Sequence, residues 1–315
     1  MTAALSNWFL FTGLVLLVGS ATALWLFSPK VEAGAASAEA SAFIADRAVR
    51  TGRFAALGLV AALLAAAAVK FFEFRDPFAT WQEDARFLIG SSWAGYWMAA
   101  LATAILAAAT FHVSISTRCD APGRRAGIVV ASFLTLILCA FPATTGHAMM
   151  ETPAPRWLTV GGDALHLLAA GVWMGGLALM LICEWSWRRR RGAARRSLLP
   201  LTVPRFSPTA LAAAAVLVLT GSFAAYLRLE SPADLFGTTY GRLLAAKIVL
   251  VVAALGVGAL NWRRLRPRLL AAWAEGSRDA APARSALQRA AFAELLLAQL
   301  VIAVTAVLVR TSPPG

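Results

Sequence analysis

With 315 residues, 59% of them hydrophobic and only 14% charged, the chain cannot clothe a water-soluble surface. Its formal net charge of +13 would point to nucleic acid on a soluble protein. On a chain this apolar it points to basic helix ends resting on anionic lipid headgroups, and a nucleic-acid partner is excluded.

Runs of roughly 20 apolar residues, the length that crosses the hydrocarbon at about 1.5 Å per residue, occur eight times. They cover residues 5–27, 52–74, 93–113, 126–141, 157–187, 206–229, 240–262 and 289–310. The first follows "MTAALSN", which has no Lys or Arg, so it reads as a retained helix and not a cleaved signal. Residues 28–51 then read as an Ala-, Arg- and Glu-rich linker. After the second run, "FRDPFATWQEDARFLIGSSW" mixes acids with Phe78, Trp81 and Phe87 behind Pro77, the pattern of a helix lying under the headgroups. The fourth run is short and extends toward Thr145. The seventh and eighth are separated by residues 263–288, a linker or a short surface helix.

Ten-residue alternating strands are absent, so the predicted fold is all-α: a polytopic membrane bundle of about eight helices. Of the 29 Lys and Arg, 21 fall in four alternate connections, which places those loops in the cytoplasm and both termini on the outer, periplasmic side. Two regions are expected, residues 1–142 and 143–315, with four helices each. The three cysteines, Cys119, Cys139 and Cys183, share no oxidising loop and no C-x-x-C spacing.

Candidate chemistry gathers at the outer mouth between the fourth and fifth runs. "TTGHAMMETPAPRW" brings His147, Met149 and Met150 together, and "GGDALHLLAAGVWMGG" opens the fifth helix. At 100° per residue Asp163, His166, Ala170, Met174 and Leu177 share one face, with Trp173 on its flank. His166 lies about 13 Å into the span, a depth at which an ionisable group is expected to face the bundle interior with a partner. Asp163, one turn above, is the expected acceptor for its second ring N–H.

Two imidazoles with soft sulfurs suit monovalent copper, whereas magnesium or calcium would select oxygen ligands. The predicted metal ligands are His147, His166, Met149 and Met150. Asp163, Trp173, Met174 and Met98 are predicted in support or along the pathway, together with Arg242 and Lys247 at the start of the seventh helix. Outward snorkelling is the competing reading for Arg242. For the histidines and methionines it is ordinary core filling. His112 reads as exposed, or as an exit-side ligand with Cys119. No Gly-Lys pair occurs, so no P-loop drives a pump. The membrane potential, about 2.3 kcal/mol per charge per 100 mV, favours cation entry.

"GHA" before the fifth helix, "DALHLLAAGVWMGGL" within it, "RFSPTALAAAAVLVLTGSFAAYLRL" in the sixth and "GTTYGRLLAAKIVLVVAALGVGALN" in the seventh resemble the copper resistance protein D (CopD) family. That resemblance implies a non-enzymatic, eight-helix protein of the bacterial inner membrane. It implies copper transport from periplasm to cytoplasm in copper homeostasis or resistance, in some systems beside a periplasmic copper-binding protein (CopC). The family's histidines match His147 and His166, its Trp-x-Gly-Gly step matches Trp173 to Gly176, and its Tyr-Gly-Arg-Leu-Leu segment matches Tyr240 to Leu244. The alternative is a membrane electron-transfer protein with His147 and His166 as axial ligands to haem b. Three histidines exclude two bis-histidine haems and leave one.

Overall fold

The computed structural model describes residues 2–27, 35–115, 121–145, 154–191, 197–275 and 280–313. Every regular element among them is helical, as it must be where lipid offers backbone groups no partner. In chain order they are α1 (Thr2–Leu26), α2 (Ala35–Glu73), α3 (Trp81–Gly90), α4 (Ser92–Ile115), α5 (Ala121–Thr145) and α6 (Arg156–Ala170). A π turn (Gly171–Gly175) joins α6 to α7 (Gly176–Arg191); α8 (Leu199–Arg228) and the short α9 (Asp234–Gly237) follow. α10 (Thr239–Leu260) runs through a second π turn (Asn261–Leu265) into α11 (Arg266–Ala274), and α12 is Ala280–Leu308. Eight of the described helical runs are long and apolar enough to cross a membrane, in the order the hydropathy pattern predicts.

One connection differs from expectation, and in a second the short helix that was one of its two expected readings is present as α11. Residues 35–51, read as linker, are the first turns of α2, whose 39 residues span about 58 Å against about 30 Å of hydrocarbon. Their Ala, Glu and Arg content favours helix without being apolar, and Asp46 pairs with Arg50 one turn on at 3.0 Å. Beyond the seventh span the chain likewise stays helical through α11. At the other end of α2, Arg310 just beyond α12 pairs with Glu73, while the Lys70 ammonium sits 4.5 Å from the Phe74 ring centroid.

α3 is helical where a helix was predicted, with Phe87 exposed on it and Phe78 exposed just before it. Thr80 caps it: the Glu83 N–H donates to Thr80 Oγ1, and the Thr80 N–H donates to Glu83 Oε2 at 2.8 Å. Those donors hold the Glu83 carboxyl below the usual carboxylate range. The cap is therefore complete above the ordinary glutamate range and is lost as pH falls through the lower folded-state value. Thr80→Ala should speed amide hydrogen exchange in the first turn of α3 about fivefold, the equivalent of a typical N-cap loss.

α1 is the central post. It carries no charge, buries Leu14, Leu17 and Val18 almost fully, and packs against α2, α5, α7, α12 and the first π turn. The contact with the π turn is backbone to backbone. A Cβ built on Gly19 would lie 2.6 Å from Gly175 Cα, and one on Gly171 would lie 2.7 Å from Val18 Cγ1. Gly171 and Gly175 thus form a small-xxx-small seam against α1. Gly176 turns the other way, toward the Phe206 ring of α8.

Candidate functional site

α6 and α8 pack side by side, and His166 is held between them. His166 Nδ1 lies 2.8 Å from Thr220 Oγ1, and the Thr220 hydroxyl donates to the Val216 carbonyl at 2.7 Å. A hydroxyl has a single proton, so with that proton committed the Thr220 oxygen accepts from Nδ1–H. The neutral ring is then the tautomer whose Nε2 carries the free lone pair, the state a metal requires of imidazole. The neighbouring Gly221 leaves room for the ring: a Cβ there would stand 3.3 Å from His166 Cε1.

Asp163 does not fill the role expected of it. Its carboxylate accepts from Arg228 Nη2 at 2.7 Å, a half-buried ion pair that ties the outer ends of α6 and α8 together. The charge of Arg228, which the sequence left unassigned, draws Asp163 away from the histidine, and the uncharged Thr220 takes its place. Lys247 of α10 is close enough to Asp163, Arg228 and His166 to act on each electrostatically. Three helices therefore converge at this level.

Farther in, the π turn inserts a residue into the α-helical register, so the single face extrapolated from Asp163 through Met174 to Leu177 does not continue past Ala170. Met174 is 5% exposed and packs in an apolar cluster with Val15, Leu217 and Ile302. Trp173, equally buried, donates its indole N–H to Glu294 Oε1 of α12 at 2.7 Å.

The remaining predicted residues lie apart. Met98 is 47% exposed on α4, whose main packing partners are α2 and α5, so it does not join the site. Arg242 is exposed, with Thr239 Oγ1 at 3.4 Å, as outward snorkelling requires. His112 is exposed, 3.3 Å from the Arg53 guanidinium. His147, Met149, Met150 and Cys119 lie outside the described residues. Among the described residues no group of three His, Cys, Asp or Glu side chains is arranged to hold a metal ion, and Cys139 and Cys183 are free, buried thiols.

Thr220 and Arg228 were missed because their partners are 54 and 65 residues away in sequence. The only available signal was a Thr-Gly step in an otherwise apolar span. Glu184 is a further buried carboxylate, accepting from Ser197 Oγ and the Leu198 N–H, and it secures the entry to α8.

A family model described as copper resistance protein D matches residues 200–308, the stretch that holds Thr220, Arg228, Lys247, Asn261 and Glu294. The copper transport protein CutJ of Bacillus subtilis (strain 168) is 34% identical over 143 residues, 42% of this chain and 25% of that protein. Copper resistance protein D of Pseudomonas syringae pv. tomato is 30% identical over 149 residues, 45% of this chain and 46% of that protein. The matches thus span about a quarter and just under half of those relatives. Over residues 200–308, this chain of membrane-length helices is thus similar to the copper resistance protein D family.

Proposed function

We propose that the chain carries copper inward across the bacterial inner membrane as a transporter and not an enzyme, contributing to copper homeostasis or resistance. The observation that carries this reading is the hydrogen bond from His166 to Thr220, which leaves Nε2 as a ready soft-metal ligand about 15 Å below the start of α6. With both termini outside, the outer loop supplies His147, Met149 and Met150 as the capture ligands. It receives copper, in the monovalent state, from solution or from a CopC-like periplasmic protein. The family-like region, 143–315, then holds the path: His166 first, followed by the thioether of Met174 where the bundle is most apolar. Asp163 and Arg228 neutralise one another at the entrance.

The test is transport by the purified chain. Proteoliposomes containing it should accumulate copper(I) faster than protein-free vesicles; equal rates reject the reading. Thr220→Val removes the acceptor that fixes the tautomer while keeping the shape of the side chain. It should weaken copper(I) binding by about 10- to 100-fold, the usual cost of losing the group that orients a metal-binding histidine.

A further inference from the structure

Glu294 is a buried carboxylate that the copper path leaves unused. It sits in the middle of α12, 5% exposed, and its two oxygens are met from two different helices. Trp173 Nε1 donates to Oε1 at 2.7 Å, and Asn261 Nδ2 donates to Oε2 at 2.9 Å. Trp173 lies in the first π turn and Asn261 begins the second. Single π turns within α-helices cost backbone regularity and gather at functional sites; here both address one carboxylate. Gly258 of α10 leaves the space the carboxylate occupies, since a Cβ there would stand 3.3 Å from Oε1.

The charged side chains that are not exposed on the elements packed against α12, and on α12 itself, are Lys247 on α10, Arg266 on α11, Glu184 and Arg188 on α7, and Arg284 on α12. Among the described residues none of them pairs with Glu294, and α1 has no charge to offer. An anion buried without a counter-cation is costly, and the direct relief is to take up a cation.

The two donors determine which cation. Trp173 can only donate, and it can serve the carboxylate or, more weakly, the carbonyl oxygen of a carboxylic acid. Asn261 can do either: its amide nitrogen now donates, and its Oδ1 is buried with no hydrogen-bond partner among the described residues. If Oε2 gains a proton, half a turn of the amide brings Oδ1 round to accept it, so both protonation states keep two hydrogen bonds. A sodium ion would instead need several oxygens, and beside Glu294 the buried side-chain oxygen left without a partner among the described residues is Asn261 Oδ1.

We propose that Glu294 is a proton-binding site inside the membrane: one proton from water adds to Oε2, the site passes from −1 to neutral, and the Asn261 amide turns over to accept from the new O–H. Trp173 adjoins Met174, so the proton changes the setting of the first π turn at its inner end. The site is distinct from the residues proposed above to ligate copper, and it is read on metal-free protein, so its failure and that of the copper reading are separable.

The experiment is infrared difference spectroscopy of the metal-free protein in lipid nanodiscs, titrated from roughly pH 4, near the ordinary carboxyl value, up to roughly pH 10. The protonated-carboxyl stretch should contain one component that grows as pH falls and is lost in Glu294→Gln. In Trp173→Phe and in Asn261→Ala that component should remain and titrate at higher pH, because each change removes a hydrogen bond that is stronger to the carboxylate than to the acid. A spectrum identical in wild type and Glu294→Gln overturns the proposal, and so does a Glu294 component constant across the titration. A midpoint displaced by sodium but not by choline overturns it in favour of a sodium site.

Discussion

Replacing His166 by alanine should lower copper(I) affinity by at least about 100-fold, and His147→Ala with His166→Ala should remove high-affinity binding altogether. Loss of a residue that merely orients a ligand costs 10- to 100-fold, so loss of a ligand should cost no less. The measurement is competition with a chromophoric copper(I) chelator on purified protein. The geometry makes the change clean: His166 meets Thr220 through one hydrogen bond, and the Thr220 hydroxyl keeps its own bond to Val216 when the imidazole goes. No ion pair is broken, because Asp163 belongs to Arg228. His166→Ala should therefore fold, with its defect confined to the metal. Unchanged affinity and stoichiometry in the double variant would reject these histidines as ligands. Affinity lost in His166→Ala but kept in Thr220→Val would retain His166 as a ligand while removing the tautomer argument.

The spans were legible because a membrane helix announces itself locally: twenty apolar residues need no knowledge of their neighbours. Residues 35–51 were less so, since they are helical by propensity and by continuation of α2, neither of which hydropathy registers. The depth of His166 singled it out, as any ionisable group at that level would be. Its partner did not emerge. Asp163 is the nearer acceptor along the helix, and only the placing of Arg228 on α8 diverts it. The π turns were invisible for a related reason: "GVWMG" and "NWRRL" have no composition that distinguishes five residues per hydrogen-bonded turn from four. The face projected beyond Ala170 failed with them. Glu294 stands in the sequence as an acid within an apolar span, and its meaning depends on Trp173 and Asn261, 121 and 33 residues away.

Gly175→Val should be the most damaging single change in the bundle, lowering stability by on the order of 3 kcal/mol or more. A Cβ on Gly175 would overlap the Val15 carbonyl oxygen and lie 3.0 Å from Gly19 Cα. Both are backbone atoms of α1, so no rotamer change relieves the clash and the whole helix must back away. α1 contributes Leu10, Leu14 and Leu17 to the larger core cluster and Val15 to the other, so moving it loosens both. Gly176→Ala meets the Phe206 ring at 2.5 Å, and a ring can swing where a backbone cannot. Gly162→Ala reaches Phe223 only at 3.7 Å, an ordinary contact, and Gly95→Ala meets nothing within 4 Å. Thermal stability of the detergent-solubilised protein, followed by the fraction that stays monodisperse after heating, should fall in that order. Gly175→Val should be far below wild type, Gly176→Ala modestly below it, and the other two unchanged. The order is informative because helix propensity alone predicts that every one of the alanine variants gains stability. A Gly175→Val protein as stable as Gly95→Ala would mean that α1 does not seat on the π turn, and that the backbone contact holding Trp173 in place against Glu294 is not what supports this region.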